Sequence, residues 1–140
     1  MFETCLYFNL NRTTRLINKI WDDAFKQHSI SPSHGYLLLA IHHDSSQLTA
    51  NNLKDILQLE ISTITRFIDV LEKNKWVKRI TSPSDKRSKF ISLTASGQRF
   101  AIELDKTAKQ LFKTARKKIN PETVEQCVTL CHKISEELSV

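Results

Sequence analysis

Between residues 61 and 94 the chain places hydroxyls, a guanidinium and a cluster of cations at spacings suited to a polyanion with hydrogen-bonding edges. Along ISTITRFIDVLEK, the apolar side chains of Ile61, Ile64, Ile68 and Leu71 follow helical spacing and predict one buried stripe. The opposite face then carries Ser62, Thr63, Arg66, Asp69 and Lys73, with Thr65 beside them. A guanidinium can donate two parallel hydrogen bonds to guanine, so Arg66 is the foremost base-reading candidate. Ser62, Thr63 and Thr65 suit phosphates, base edges or thymine methyls. Next come two strand-like segments, WVKRIT and FISL, joined by the polar turn SPSDKRSK, which contains Pro83 and predicts a two-stranded hairpin. At or beside its tip, Lys86 and Lys89 suit phosphate contacts, and Arg87 suits a narrow, electronegative minor groove. Asp85 cannot favour an anion by charge, so its expected role is to hold an arginine or the turn backbone. Lys73, Lys75, Lys78 and Arg79 extend the positive surface. A solvated helix face and a solvated hairpin are the plainer readings; the two lying side by side is what favours an interface.

Composition agrees with that direction without proving it. The net charge of +6 over 140 residues suits a polyanionic partner, although many proteins of this basicity never touch nucleic acid. With only two glycines and three prolines, long helices are favoured over a turn-rich sandwich. The start, MFETCLYFNL, lacks the basic segment and unbroken apolar run of a signal peptide, and the apolar run at residues 36–41 is too short to cross a bilayer. The expectation is a cytoplasmic protein without a membrane partner. Three cysteines argue against a disulfide framework.

The elements that must position these residues are legible from caps and stripes. Leu6, Leu10, Thr13, Ile17, Ile20, Trp21 and Ala24 predict a long first helix ending near residues 26–29. Ser31-Pro32 is a cap and first-turn pair opening a second helix through Ile41, followed by HHDSSQ as a loop. Thr49 caps a short third helix over residues 50–57, and a tight turn at Leu59 and Glu60 leads into the fourth, which ends near Asn74. Short helix, tight turn and longer helix with a polar outer face form a helix-turn-helix arrangement, and the basic hairpin adds a wing. Thr94 caps a fifth helix with the stripe Phe100, Ala101, Leu104, Ala108, Leu111 and Ala115. Asn120-Pro121-Glu122 starts a sixth, repeating Val124, Cys127, Cys131, Ile134 and Leu138. The fold class is therefore mostly α with a small β-hairpin wing: a winged helix-turn-helix lobe over residues 31–97, with long dimerisation helices at 1–30 and 98–140. The terminal helices have no intramolecular partner large enough to cover their stripes, so a homodimer is expected.

The remaining reactive side chains form no catalytic constellation. No nucleophile elbow, phosphate loop or paired carboxylates in a glycine-rich setting is present, so an enzyme is not expected, and no cofactor or metal is called for. Cys127 and Cys131, four apart with His132 adjacent, lack a second ligand pair for zinc and read as buried small hydrophobes. Cys5 lies near the start of the first helix, where the dipole favours a thiolate; ordinary burial competes with that redox reading. His34, His42 and His43 make no metal pattern.

The run RFIDVLEKNKWVKRITSPSDKRSKFISLTASG resembles the MarR family of bacterial transcriptional regulators. The resemblance extends over nearly the whole chain. Its most specific parts are the wing tip Asp85-Lys86-Arg87 and the Leu93-Thr94-x-x-Gly97 start of the following helix. It implies an obligate homodimer on a pseudo-palindromic double-stranded DNA operator, with recognition helices in successive major grooves and wings in flanking minor grooves. It also implies DNA affinity changed by a small aromatic or phenolic effector or by an oxidant. Trp21, His34 and Tyr36 are the candidates for a ligand cleft, with core packing as the competing role for Trp21 and Tyr36. In some peroxide-sensing branches a reactive cysteine sits in the first helix, as Cys5 does here. A winged-helix protein-interaction module without DNA binding is the alternative. Two departures from the family pattern carry expectations of their own. Lys75 stands where glycine is usual, so Asn74 is expected to adopt the left-handed conformation instead. Gly35 lies inside the second helix, where close packing or an enlarged cavity is expected to offset its cost of roughly 1 kcal/mol relative to alanine.

Overall fold

The computed structural model describes residues 1–44 and 46–139. After a 3-10 turn at Phe2–Thr4 come α1 (Leu6–Lys26), α2 (Pro32–His43), β1 (Leu48–Thr49), α3 (Ala50–Leu57), α4 (Ile61–Lys73), β2 (Val77–Thr81), β3 (Lys89–Leu93), α5 (Ala95–Lys118) and α6 (Pro121–Leu138). The chain forms two compact units, Met1–Thr107 and Ala108–Val140, with α5 running through the boundary. Among the described residues, no helix is long and apolar enough to cross a membrane.

Local capping chemistry starts most of the helices. The Ser31 side chain accepts from the His34 N–H ahead of Pro32. Thr49 and Asn52 cap each other's backbone reciprocally at the head of α3, and the Asn120 side chain accepts from the Glu122 N–H at 2.9 Å. Each satisfies amide groups that the first turn leaves without partners.

In the first unit, α2 is the central element, packing against α1, α3, α4 and β3. It buries Gly35, Leu37, Leu38, Leu39 and Ile41, so it is apolar on almost every side, as a helix surrounded by others must be. Around it close Phe25, Leu53, Ile64, Ile68, Leu71, Val77, Ile91, Ala101 and Leu104. Ile61, expected in the α4 stripe, is 40% exposed, because it sits at the helix start beyond the edge of that core. Gly35 owes its place to close packing: a methyl group there would come within 2.6 Å of Phe25 Cδ1. The ring of Phe25 fills the volume, so no cavity opens beside this glycine.

Three further expectations are corrected. The segment HHDSSQ is not wholly loop, since His42 and His43 complete α2 and the His43 ring pairs with Asp105 of α5 at 2.9 Å. The hairpin is part of a three-stranded antiparallel sheet in the order β1-β3-β2, with Leu48 opposite Ile91 and Thr49 opposite Phe90. The left-handed residue after α4 is Lys75, with φ 60°, whereas Asn74 has φ −80°. The Asn74 side chain donates to the Val70 carbonyl at 2.8 Å and stays with the helix. The Lys75 and Trp76 N–H groups bond back to the Glu72 and Leu71 carbonyls, the paired bonds that close a helix C-terminus. The Lys75 carbonyl in turn accepts from the hydroxyls of Thr94 at 2.6 Å and Ser96 at 2.9 Å. These tertiary bonds hold lysine in a conformation costing about 1–2 kcal/mol.

In the second unit, Ala108 is buried, Val124 and Ile134 are half-buried, and Cys127 and Cys131 are exposed rather than buried. Among the described residues, none on α6 is buried.

Candidate nucleic-acid interface

The turn before α4 runs through Gln58, left-handed at φ 52°, with its side chain donating to the Asp55 carbonyl at 2.6 Å. After that reversal α4 packs against α3 and α2 and leaves another face in solvent. On it Ser62, Thr65, Arg66 and Lys73 are exposed, and Thr63 is half-buried. Thr65 donates its hydroxyl to the Ile61 carbonyl at 2.9 Å, which leaves an oxygen lone pair for an incoming donor. Arg66 makes no side-chain hydrogen bond or ion pair among the described residues.

The wing tip is built by residues that carry no positive charge. Ser82 is 3% exposed; its hydroxyl meets that of Ser84 at 3.0 Å and accepts from the Asp85 N–H at 3.4 Å. Its backbone N–H donates to the Ser88 carbonyl at 2.9 Å, closing the loop. Asp85 accepts from the Arg87 N–H at 2.9 Å, so this carboxylate shapes the turn backbone and does not hold the arginine's guanidinium. The side chains of Lys86, Arg87 and Lys89 are exposed around it. Ser82 was not singled out from the sequence, although SPSD is a recognisable cluster of side chains that bond their own backbone.

Arg79 is another residue that sequence reasoning misplaced. Expected to widen the positive surface, it donates to Asp69 at 2.5 Å and to Glu72, both on α4. Burial alone would lower its pKa, but the two carboxylates outweigh that and raise it. The alternation of β2, in which Val77 and Arg79 share a face, is the signal that would have turned it towards α4.

The three ligand candidates separate into two places. Trp21 donates its indole N–H to the Tyr36 hydroxyl at 2.9 Å, and Tyr36 stacks on Phe25 at 5.7 Å. His34 lies against Phe67 with ring centroids 4.4 Å apart and bonds the Ser31 hydroxyl through Nδ1 at 2.6 Å. Partial burial lowers its pKa, which favours the neutral imidazole. A depression of about 380 Å³ in this unit is lined by Asp22, Lys26, Ser29, Ile30, Ser31 and Pro32, none of them a predicted ligand residue. Cys5 is half-exposed at the cap position of α1, with no side-chain hydrogen bond to the helix. Among the described residues, no three His, Cys, Asp or Glu side chains converge as a metal site requires.

The family model described as "MarR family" matches residues 30–89. The HTH-type transcriptional regulator PapX of Escherichia coli is 35% identical over 95 residues, covering 66% of this chain and 57% of PapX. The chain thus spans little more than half the length of that relative. Among solved structures, the Staphylococcus aureus MepR-DNA complex is similar with a TM-score of 0.84 at 22% identity, covering 96% of this chain and 98% of that one. CouR from Rhodococcus jostii RHA1 bound to p-coumaroyl-CoA gives a TM-score of 0.80 at 17% identity, covering 100% and 98%.

Proposed function

We propose that this chain, whose residues 30–89 match the family model described as "MarR family", is a regulator of that family: a sequence-specific, double-stranded-DNA-binding transcriptional regulator, acting as a repressor. One observation carries the reading: α4 presents an unencumbered Arg66, and the wing presents Arg87 on a backbone organised by Asp85. Arg66 reads a base edge in the major groove while Lys73, Lys86 and Lys89 neutralise phosphates. Arg87 enters the adjoining minor groove and responds to its width and potential. Ser62, Thr63 and Thr65 support phosphate or thymine contacts. The structural likeness to MepR in its DNA complex supports this direction, and the likeness to CouR bound to an acyl-CoA supports a small-molecule effector that changes DNA affinity. Such a regulator works in the cytoplasm.

Selection of the purified protein on random duplex DNA, followed by sequencing, tests the proposal. The enriched site is expected to be an imperfect palindrome with half-site centres roughly 34 Å apart. Arg66→Ala should relax preference at one position per half-site by about 1–3 kcal/mol. Arg87→Ala should weaken binding of a still-folded protein. An unenriched pool, or full affinity in both variants, would contradict the assignment and favour a protein-interaction module.

A second copy of the chain is the partner that the helices call for. Leu6, Leu10, Ile17 and Ile20 line one side of α1 in solvent, and Val128 and Leu130 of α6 are about half exposed. Contiguous apolar side chains left in solvent along a helix are the mark of a protein interface. Sedimentation equilibrium should give a homodimer; a stable folded monomer across the measured concentrations would exclude this assembly.

A further inference from the structure

We propose that Arg79 is a positioning residue of the DNA interface, which keeps Arg66 available by holding Asp69 and Glu72 away from it. The inference rests on the DNA-binding reading and assigns a role within that same site. Asp69 lies three residues after Arg66 and four before Lys73 on α4, so both cations are its natural helical neighbours. Neither takes it. Asp69 accepts instead from Arg79 on β2, whose second guanidinium nitrogen reaches Glu72. The Arg79 side chain is only 22% exposed, whereas those of Asp69 and Glu72 are 59% and 42% exposed. The planar fork of a guanidinium can hold two carboxylates at once; a lysine would hold one.

Two consequences follow from this geometry. Released from Arg79, Asp69 would pair with Arg66 and occupy the donors that a guanine needs. Glu72 would stand uncancelled beside Lys73, opposing the approach of a phosphate. The bonds also join α4 to β2, so one side chain ties the recognition helix to the base of the wing.

The test uses the whole 140-residue chain and a duplex carrying the site enriched by wild type, with helix content and unfolding midpoint checked for each variant. Arg79→Ala is expected to lower affinity about tenfold and to relax base preference at the position read by Arg66. Adding Asp69→Asn and Glu72→Gln to Arg79→Ala should restore both, since neutral amides neither capture Arg66 nor repel phosphate. The Asp69→Asn/Glu72→Gln protein with Arg79 intact should bind at least as well as wild type, and it remains informative if Arg79→Ala fails to fold. Unchanged binding by folded Arg79→Ala overturns the proposal. Failure of the added amides to restore binding also overturns it, as does a loss in the amide pair alone, because the clamp would then act through shape and not through charge. If wild type binds no duplex, the DNA reading itself falls.

Discussion

Replacing Gly97 with alanine should destabilise the protein by at least about 3 kcal/mol, the upper end of what overpacking a filled site usually costs. A methyl group there would come within 2.7 Å of the Trp76 carbonyl carbon and closer still to its oxygen. That carbonyl has no freedom to retreat: it accepts from the Thr94 N–H at 3.0 Å and lies 3.3 Å from the Thr94 hydroxyl. The same Thr94 hydroxyl accepts from the Gly97 N–H at 3.0 Å and caps α5. Relief of the clash would therefore open the corner where α4, β2 and α5 meet. Against a total stability of roughly 5–15 kcal/mol, such a loss is large, and it should appear as a clear fall in the urea midpoint. Gly35→Ala should cost less, because the obstructing group is the Phe25 side chain, which can tilt. Equal midpoints for Gly97→Ala and wild type would show that the corner yields without penalty.

Affinity for the selected duplex should fall by about a thousandfold or more between about 50 and about 200 mM salt, if at least six phosphates are neutralised. Lys73, Lys86 and Lys89 are exposed, so the proposed pair of chains would bring enough phosphate-contacting lysines to reach that number. The physical cause is release of condensed counterions from the duplex. Removing one phosphate-contacting lysine, as in Lys86→Ala, should make the dependence shallower without altering which bases are preferred. Arg66→Ala should do the reverse, losing preference while keeping most of the slope. Titrations at several salt concentrations separate the two behaviours. A flat dependence in wild type would remove the wing and Lys73 from the binding surface.

These expectations rest partly on features that a reader of the sequence can find unaided. The starts of α2, α3, α5 and α6 are visible because Ser31, Thr49, Thr94 and Asn120 cap within three residues of their own positions, and such chemistry needs no distant partner. The exposed face of α4 and the basic hairpin are visible for a similar reason. Helical and strand periodicities sort side chains into inner and outer sets before any packing is known.

What local reasoning missed depended on partners far along the chain. Asparagine tolerates a left-handed backbone better than lysine, which points to Asn74; the hydroxyls of Thr94 and Ser96 overrule that preference by gripping the Lys75 carbonyl. Strand β1 is two residues long, too short for an alternating pattern, and exists because Leu48 and Thr49 meet Ile91 and Phe90. Cys127 and Cys131 sit at apolar spacing but remain exposed, since spacing states a need for burial and only neighbouring elements supply it. Arg79 shows the same division most clearly. Its charge is plain in the sequence, but whether it meets a phosphate or two carboxylates depends on the face of β2 turned towards α4, and the tertiary structure gives it to Asp69 and Glu72.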